Sequence, residues 1–268
     1  NSEISNISQM ENTPSGTTSI VLFKLAGQEF QAISAGPLFK FNPSISLTVM
    51  CKDKSEADEI WDNLLPGGQV LMALDAYPFS TRYGWLQDRY GLCWHIMVSA
   101  NSETRQKIIP TVMFTGNVAG RAEEAIFFWK TVFHSESVDQ LLFFGAGEGL
   151  NLEGTLKHGR FSLFGQQLAA MDSAYANNFS FNESISFLVK CDTQAEIDNY
   201  WKNLSAYPEA EQCGWLKDQF GVSWQIVPSR MSDWLNRSDP ERSLRVTRAF
   251  LAMKKLDIAS LQAAYDGK

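Results

Sequence analysis

Cys213-Gly214-Trp215-Leu216-Lys217-Asp218-Gln219-Phe220-Gly221-Val222-Ser223-Trp224-Gln225-Ile226-Val227-Pro228 reads as a strand, a turn and a second strand. Asp218 and Gly221 stand where a short hairpin loop needs a side-chain acceptor and a residue free to take a positive φ. The pattern occurs once before, as Gly84-Trp85-Leu86-Gln87-Asp88-Arg89-Tyr90-Gly91-Leu92-Cys93-Trp94-His95-Ile96. Gly84–Val98 and Gly214–Pro228 are identical at 7 of 15 positions. The duplication decides the architecture, and the rest of the chain can be laid out around it.

Upstream of each hairpin lies a strand followed by a helix. Ser44–Leu64 and Ser184–Leu204 match at 10 of 21 positions without a gap. In each, an apolar strand ends in a cysteine. A capping pattern follows, Asp53-Lys54-Ser55-Glu56 in one copy and Thr193-Gln194-Ala195-Glu196 in the other. Apolar residues then recur at helical spacing, Ala57, Ile60, Trp61 and Leu64 against Ile197, Tyr200, Trp201 and Leu204. Farther upstream Gly27-Gln28 answers Gly165-Gln166, a turn between two strands. The stretch 65–83 is about ten residues longer than its counterpart and reads as an enlarged loop opened by Pro66-Gly67-Gly68.

The second copy has more in front. Ile108–Phe114 is a β-prone run, and Gly120–Phe133 shows helical periodicity through Ala122, Ala125, Ile126, Trp129 and Phe133. Strands are expected over Ser137–Phe144 and Gly154–Leu163. The first copy has no such opening strand and helix; residues 1–16 read as a strand through Ile4 and Ile7 followed by a polar loop, Asn12-Thr13-Pro14-Ser15-Gly16. These features divide the chain into a first module at 1–106 lacking its opening strand and helix, a complete second module at 107–228, and a helical C-terminal extension at 229–268. The extension starts its main helix at Ser238-Asp239-Pro240, with Pro in the first turn, and Asp257 caps a last helix through Leu261, Ala264 and Tyr265.

Composition sets the limits. The 268 residues suit about two domains. A net charge of −7 disfavours nucleic acid and anionic membranes as partners. No apolar run is long enough to span a bilayer, and the N-terminus lacks a signal-peptide pattern, so a cytoplasmic protein is expected. Cys51, Cys93, Cys191 and Cys213 form no Cys-x-x-Cys pair and read as reduced thiols.

Together, Gly165-Gln166, Phe181-Asn182, Ser184-Ile185-Ser186, Trp201-x-x-Leu204 and the Gly214–Pro228 hairpin resemble the PhnB-like family of the glyoxalase/bleomycin-resistance superfamily. The aromatic run Phe127-Phe128-Trp129 after Ala122-Glu123-Glu124-Ala125 is similar to that family's first helix. The resemblance implies an α+β fold of tandem βαβββ vicinal-oxygen-chelate modules, each forming a curved sheet around a cleft. It also implies either a divalent-metal enzyme of glyoxalase or dioxygenase type, or a metal-free binder of small organic molecules.

The site residues that follow are Gln225 and His95 at the superfamily's terminal ligand position, Ser184 and Ser44 near the other strand position, and Asp172 as a cleft carboxylate. Gln is a weak metal ligand and Ser a poor one. The expectation is therefore a cleft for a small-molecule ligand with no cofactor, in a homodimer; His95 is a metal ligand only in the alternative reading. Leu141-Leu142-Phe143-Phe144-Gly145-Ala146-Gly147-Glu148-Gly149 looks like the strand and GxGxG loop of S-adenosylmethionine methyltransferases. No helix is expected after it, so it reads as a Gly-rich connection between antiparallel strands, and a methyltransferase is the least favoured function. Trp94 and Trp224 alternate with His95 and Gln225, so if the latter face a cleft, the indoles are structural.

Overall fold

A computed structural model describes all residues except 1, 14–15, 35, 100–105, 136, 149, 151, 176 and 236–238. Pro14, Ser15 and Ser238, where the sequence suggests a polar loop and a helix start, lie outside the described residues. In chain order the elements are β1 (Ser2–Thr13), β2 (Gly16–Leu25), β3 (Gln28–Ile33), β4 (Ile45–Cys51), α1 (Lys54–Leu64), β5 (Gln69–Tyr77), β6 (Ser80–Gln87) and β7 (Cys93–Val98). The second copy gives β8 (Ile108–Phe114), α2 (Ala122–Val132), β9 (Val138–Phe143), β10 (Leu156–Leu163), β11 (Gln166–Asp172), β12 (Ser186–Cys191), α3 (Gln194–Leu204), β13 (Trp215–Lys217) and β14 (Ser223–Pro228). The extension adds α4 (Met231–Trp234), α5 (Pro240–Leu251) and α6 (Ile258–Asp266).

The chain forms two compact units, residues 40–181 and residues 1–39 with 182–268. Both cross the boundary at 106/107 that the repeat suggests for the domains. The reason lies in strand pairing. β4, from the first copy, pairs antiparallel with β8, from the second, and β8 pairs in parallel with β11. One sheet therefore runs β5-β6-β7-β4-β8-β11-β10-β9 and joins a half of each copy. Ala122, Ala125, Ile126 and Trp129 of α2 and Ala57 and Trp61 of α1 are buried, as the spacing predicts.

The 65–83 stretch corrects the reading of an enlarged loop. It contains β5, paired with β6 through a register interrupted at Val70/Met72, Met72/Asp75 and Asp75/Tyr77. Such bulges erase the period-two pattern by which a strand is recognised in sequence.

In the other unit, β1-β2-β3 and β12-β14-β13 are separate three-stranded sheets. Residues 1–39 supply three strands and, among the described residues, no helix. The extension packs around Trp234, Val246, Phe250, Leu256 and Leu261. Asp239 caps α5 through the Arg242 N–H and Asp257 caps α6 through the Ser260 N–H. Two backbone bonds, Cys213 N–H to Met253 O and Gly214 N–H to Lys254 O, both 2.8 Å, dock the extension on the edge beside β13. In the first copy β5 pairs along the equivalent edge of β6. The two copies thus cover one exposed strand edge by different means.

Candidate functional site

The duplicated hairpin is built the same way twice. Asp218 Oδ1 accepts the N–H groups of Phe220 at 2.9 Å and Val222 at 3.0 Å, and its Oδ2 accepts the Trp224 indole N–H at 2.9 Å. Asp88 does the same with Tyr90, Leu92 and Trp94 at 2.9, 3.0 and 3.0 Å. Gly91 and Gly221 take positive φ values of 92° and 87° to close the loops. The aspartates and both tryptophans are therefore structural. This orients the next residue: alternation turns Gln225 and His95 to the opposite face of the sheet.

In the unit formed by residues 40–181, that face carries a row of side chains across the sheet. Paired positions run Trp85–His95 (β6–β7), His95–Thr48 (β7–β4), Thr111–Ala169 (β8–β11), Ala169–Arg160 (β11–β10) and Arg160–Gln140 (β10–β9). Directly opposed residues share a face. The Thr48 and Thr111 hydroxyls bond at 2.6 Å and close the middle of the row. The sheet curls over this face, because residues of β4, β7, β8, β10 and β11 line one recess. Thr48, Thr111, His158 and Arg160 are its polar lining, and Met50, Met97, Ile109 and Ala169 its apolar lining. The recess has a volume of about 20 Å³, room for about one water molecule.

His95 is only 3% exposed. Its ring stacks on Trp85 at 5.1 Å and 14°. Its Nδ1 lies 2.7 Å from the Tyr83 hydroxyl, while Nε2 is buried without a partner. Burial, with the nearby His158, pushes its pKa down to about 3. His158 is lowered to about 4, first by burial and then by the Arg160 charge. Both rings are neutral near pH 7. Burial raises the Tyr83 pKa, so the phenol keeps its proton; donated to Nδ1, that proton leaves His95 with its own N–H at Nε2. Arg160 donates to Gln140 Oε1 at 3.2 Å, keeps Nε buried without a partner, and forms no ion pair among the described residues.

The other sequence candidates sit elsewhere. Asp172 lies three residues after Ala169, on the helix-bearing face. Its carboxylate accepts from Gly120 at 2.8 Å, Ala122 at 3.1 Å and Leu156 at 2.9 Å, which ties the start of α2 to β10 and β11. Burial raises its pKa against the pull of those bonds. Ser44 and Ser184 precede their strands, where the backbone N–H of each donates to Asn42 or Asn182 Oδ1. Gln225 belongs to the other unit, with its Nε2 bonded to Ser186 Oγ at 2.8 Å. None of the five lines the recess; His95 lies buried next to it, paired across β7 and β4 with the recess residue Thr48. His158 and Arg160 are the residues that the sequence reading missed as site residues. Alignment of the copies holds the signal: at an offset of 138, these positions are Ile20 and Leu22 in β2, so an imidazole and a guanidinium replace two aliphatics.

These donors fit a divalent cation poorly. The recess lining has no carboxylate, and a guanidinium adjoins it. No group of three His, Cys, Asp or Glu in metal-binding arrangement occurs among the described residues. The cysteines are free thiols; burial raises Cys51 to about 11 and Cys93 and Cys191 to about 12. Gly145–Gly149 stands between antiparallel β9 and β10, as the sequence suggests. No helix among the described residues is long and apolar enough to cross a membrane.

Paired βαβββ halves around a curled sheet define the vicinal-oxygen-chelate class. Glyoxalase I of Zea mays shares the fold, at 11% identity and a TM-score of 0.53 over 85% of this chain and 84% of that one. The chain belongs to the PhnB-like family whose model is described as 3-demethylubiquinone-9 3-methyltransferase and matches residues 1–97 and 106–227. A PhnB protein of Bacillus cereus carrying the same methyltransferase name is 41% identical over 37% of this chain and 80% of its own, with a TM-score of 0.34. No curated protein sequence matches this chain.

Proposed function

We propose that the protein binds a small organic molecule, without a metal ion, on the curled face that carries His95. The observation behind this reading is one half-apolar recess lined by Thr48, Thr111, His158 and Arg160, with a buried His95 nitrogen left unpartnered beside it. Ligand sites combine apolar walls with a few convergent polar groups, and this recess, with room for about one water molecule, must open to take a ligand. Met50 and Met97 form the apolar side, and their flexible side chains let the recess widen around a ligand. The methyltransferase activity in the family's description has less support, since a cofactor-binding loop needs a helix directly after its glycines and Gly145–Gly149 leads to β10.

A divalent-metal enzyme is the competing reading, favoured by the unpartnered Nε2 of His95. A thermal-shift screen of small organic molecules, run with chelator and again with zinc, nickel or manganese, separates the two. Stabilisation by organic molecules in chelator supports the proposal. Stabilisation that appears only with a metal, and is lost in His95→Ala, overturns it.

A further inference from the structure

The chemistry of the recess narrows the ligand. Arg160 carries a permanent charge. Its described hydrogen bond goes to the neutral Gln140 amide, and its Nε is buried without a partner. The other polar groups lining the recess are the His158 imidazole and two hydroxyls that already bond each other. A partly buried cation with no counter-charge is unfavourable, and the arrangement improves when an anion meets it. His95 adds a second unpartnered nitrogen, an N–H donor when Tyr83 donates to Nδ1.

We propose that this face takes the carboxylate of a small organic acid, with the Arg160 guanidinium as its main partner and the His158 and His95 rings beside it. The inference rests on the binding reading above and specifies its ligand class. The recess has room for about one water molecule as it stands, so the carboxylate reaches Arg160 as the flexible Met50 and Met97 side chains move aside. The site occurs once per chain. At the same register the other unit pairs Leu22 with Gln31 where this one pairs Arg160 with Ala169, and it has Gln225 in place of His95.

The test uses isosteric probes on the full chain: acetate and benzoate, their neutral amides acetamide and benzamide, the cation benzylamine, and inorganic phosphate. Binding is read by the side-chain NMR signals of His158 and His95 and by calorimetry. Acetate or benzoate binds about tenfold more tightly than its amide, the scale of one charge-assisted hydrogen bond, with one site per chain. Arg160→Leu, the residue that the first copy carries there, removes the preference; His158→Ile, its neighbour's counterpart, weakens it, and unchanged melting temperatures confirm that both variants fold.

Equal binding of acid and amide overturns the inference and leaves the small-molecule reading intact. Preference for benzylamine or for phosphate alone also overturns it, as does the absence of any acid-dependent signal up to the solubility limit. Retention of a stoichiometric metal instead removes the reading on which it rests.

Discussion

Asp218 holds the indole N–H of Trp224 at 2.9 Å, and Asp88 holds that of Trp94 at 3.0 Å, in the same arrangement 130 residues earlier. Each aspartate spans its hairpin loop and fixes the second strand's register. Asp218 is 0% exposed, so removing its carboxylate leaves the Phe220, Val222 and Trp224 N–H groups without these bonds. Asp218→Ala is expected to cost about 3 kcal/mol. Asp88→Ala costs less, because its loop is more open to water. Urea unfolding of both variants checks the order, and equal losses below about 1 kcal/mol would contradict it.

Gly84 lies under the Trp61 ring. A Cβ there would stand 2.5 Å from Trp61 Cζ3 and 2.9 Å from Leu74 Cα. Gly84→Ala therefore forces the α1 indole off the sheet, at about 1–3 kcal/mol. Gly145→Ala is the control, with its nearest such neighbour at 4.0 Å and no positive φ. The melting temperature should fall for the first and hold for the second.

The extension is part of its unit's core. Leu256 is 0% exposed and packs over Gly214, while Gln194 of α3 bonds Leu256 O and the Ile258 N–H. Leu256→Ala should cost about 2–5 kcal/mol and raise hydrogen exchange at Cys213 and Gly214, whose N–H groups the extension binds. An unchanged exchange rate there would mean that the extension does not guard this edge.

Acid should destabilise the unit that contains His95. Its pKa is about 3 in the folded chain against about 6.5 when unfolded, so between these values the unfolded chain binds more protons. Stability is complete above about pH 6.5 and falls as pH drops, by about 1.4 kcal/mol per pH unit. His158, at about 4 when folded, adds to the slope over its own window. The groups facing His95 are Tyr83 and Trp85 of β6, Thr48 of β4 and His158 of β10, and the Arg160 charge lies beyond. His95→Gln, using the residue of the second copy, should flatten the slope of unfolding free energy between pH 6.5 and 4.5. An unaltered slope would place the acid sensitivity elsewhere.

Much of this fold is legible in the chain because it is written twice. The hairpin aspartates, both caps before α1 and α3, and the opposed faces of Trp94 and His95 follow from local pattern and strand alternation. In α3 the capping box is complete, while in α1 Glu56 reaches the Lys52 N–H instead of that of Asp53. β5 was illegible because three register breaks scramble its alternation. The crossing of the repeat boundary depends on β4 choosing β8 as its neighbour, a long-range pairing that no local pattern announces. His158 and Arg160 are isolated residues on one strand. Only the curl of the sheet, which brings β10 towards β7, makes them neighbours of His95. Asp172 misled for the converse reason: a lone buried carboxylate looks like chemistry until its backbone donors, Gly120, Ala122 and Leu156 among them, are seen.

The central claim is a metal-free ligand face. The most direct test is metal content of the purified protein by inductively coupled plasma mass spectrometry, after growth with added zinc, nickel and manganese. The account predicts no metal near stoichiometry, in the native chain or in His95→Ala. Near-stoichiometric metal in the native chain that disappears in His95→Ala would contradict it and make His95 a ligand.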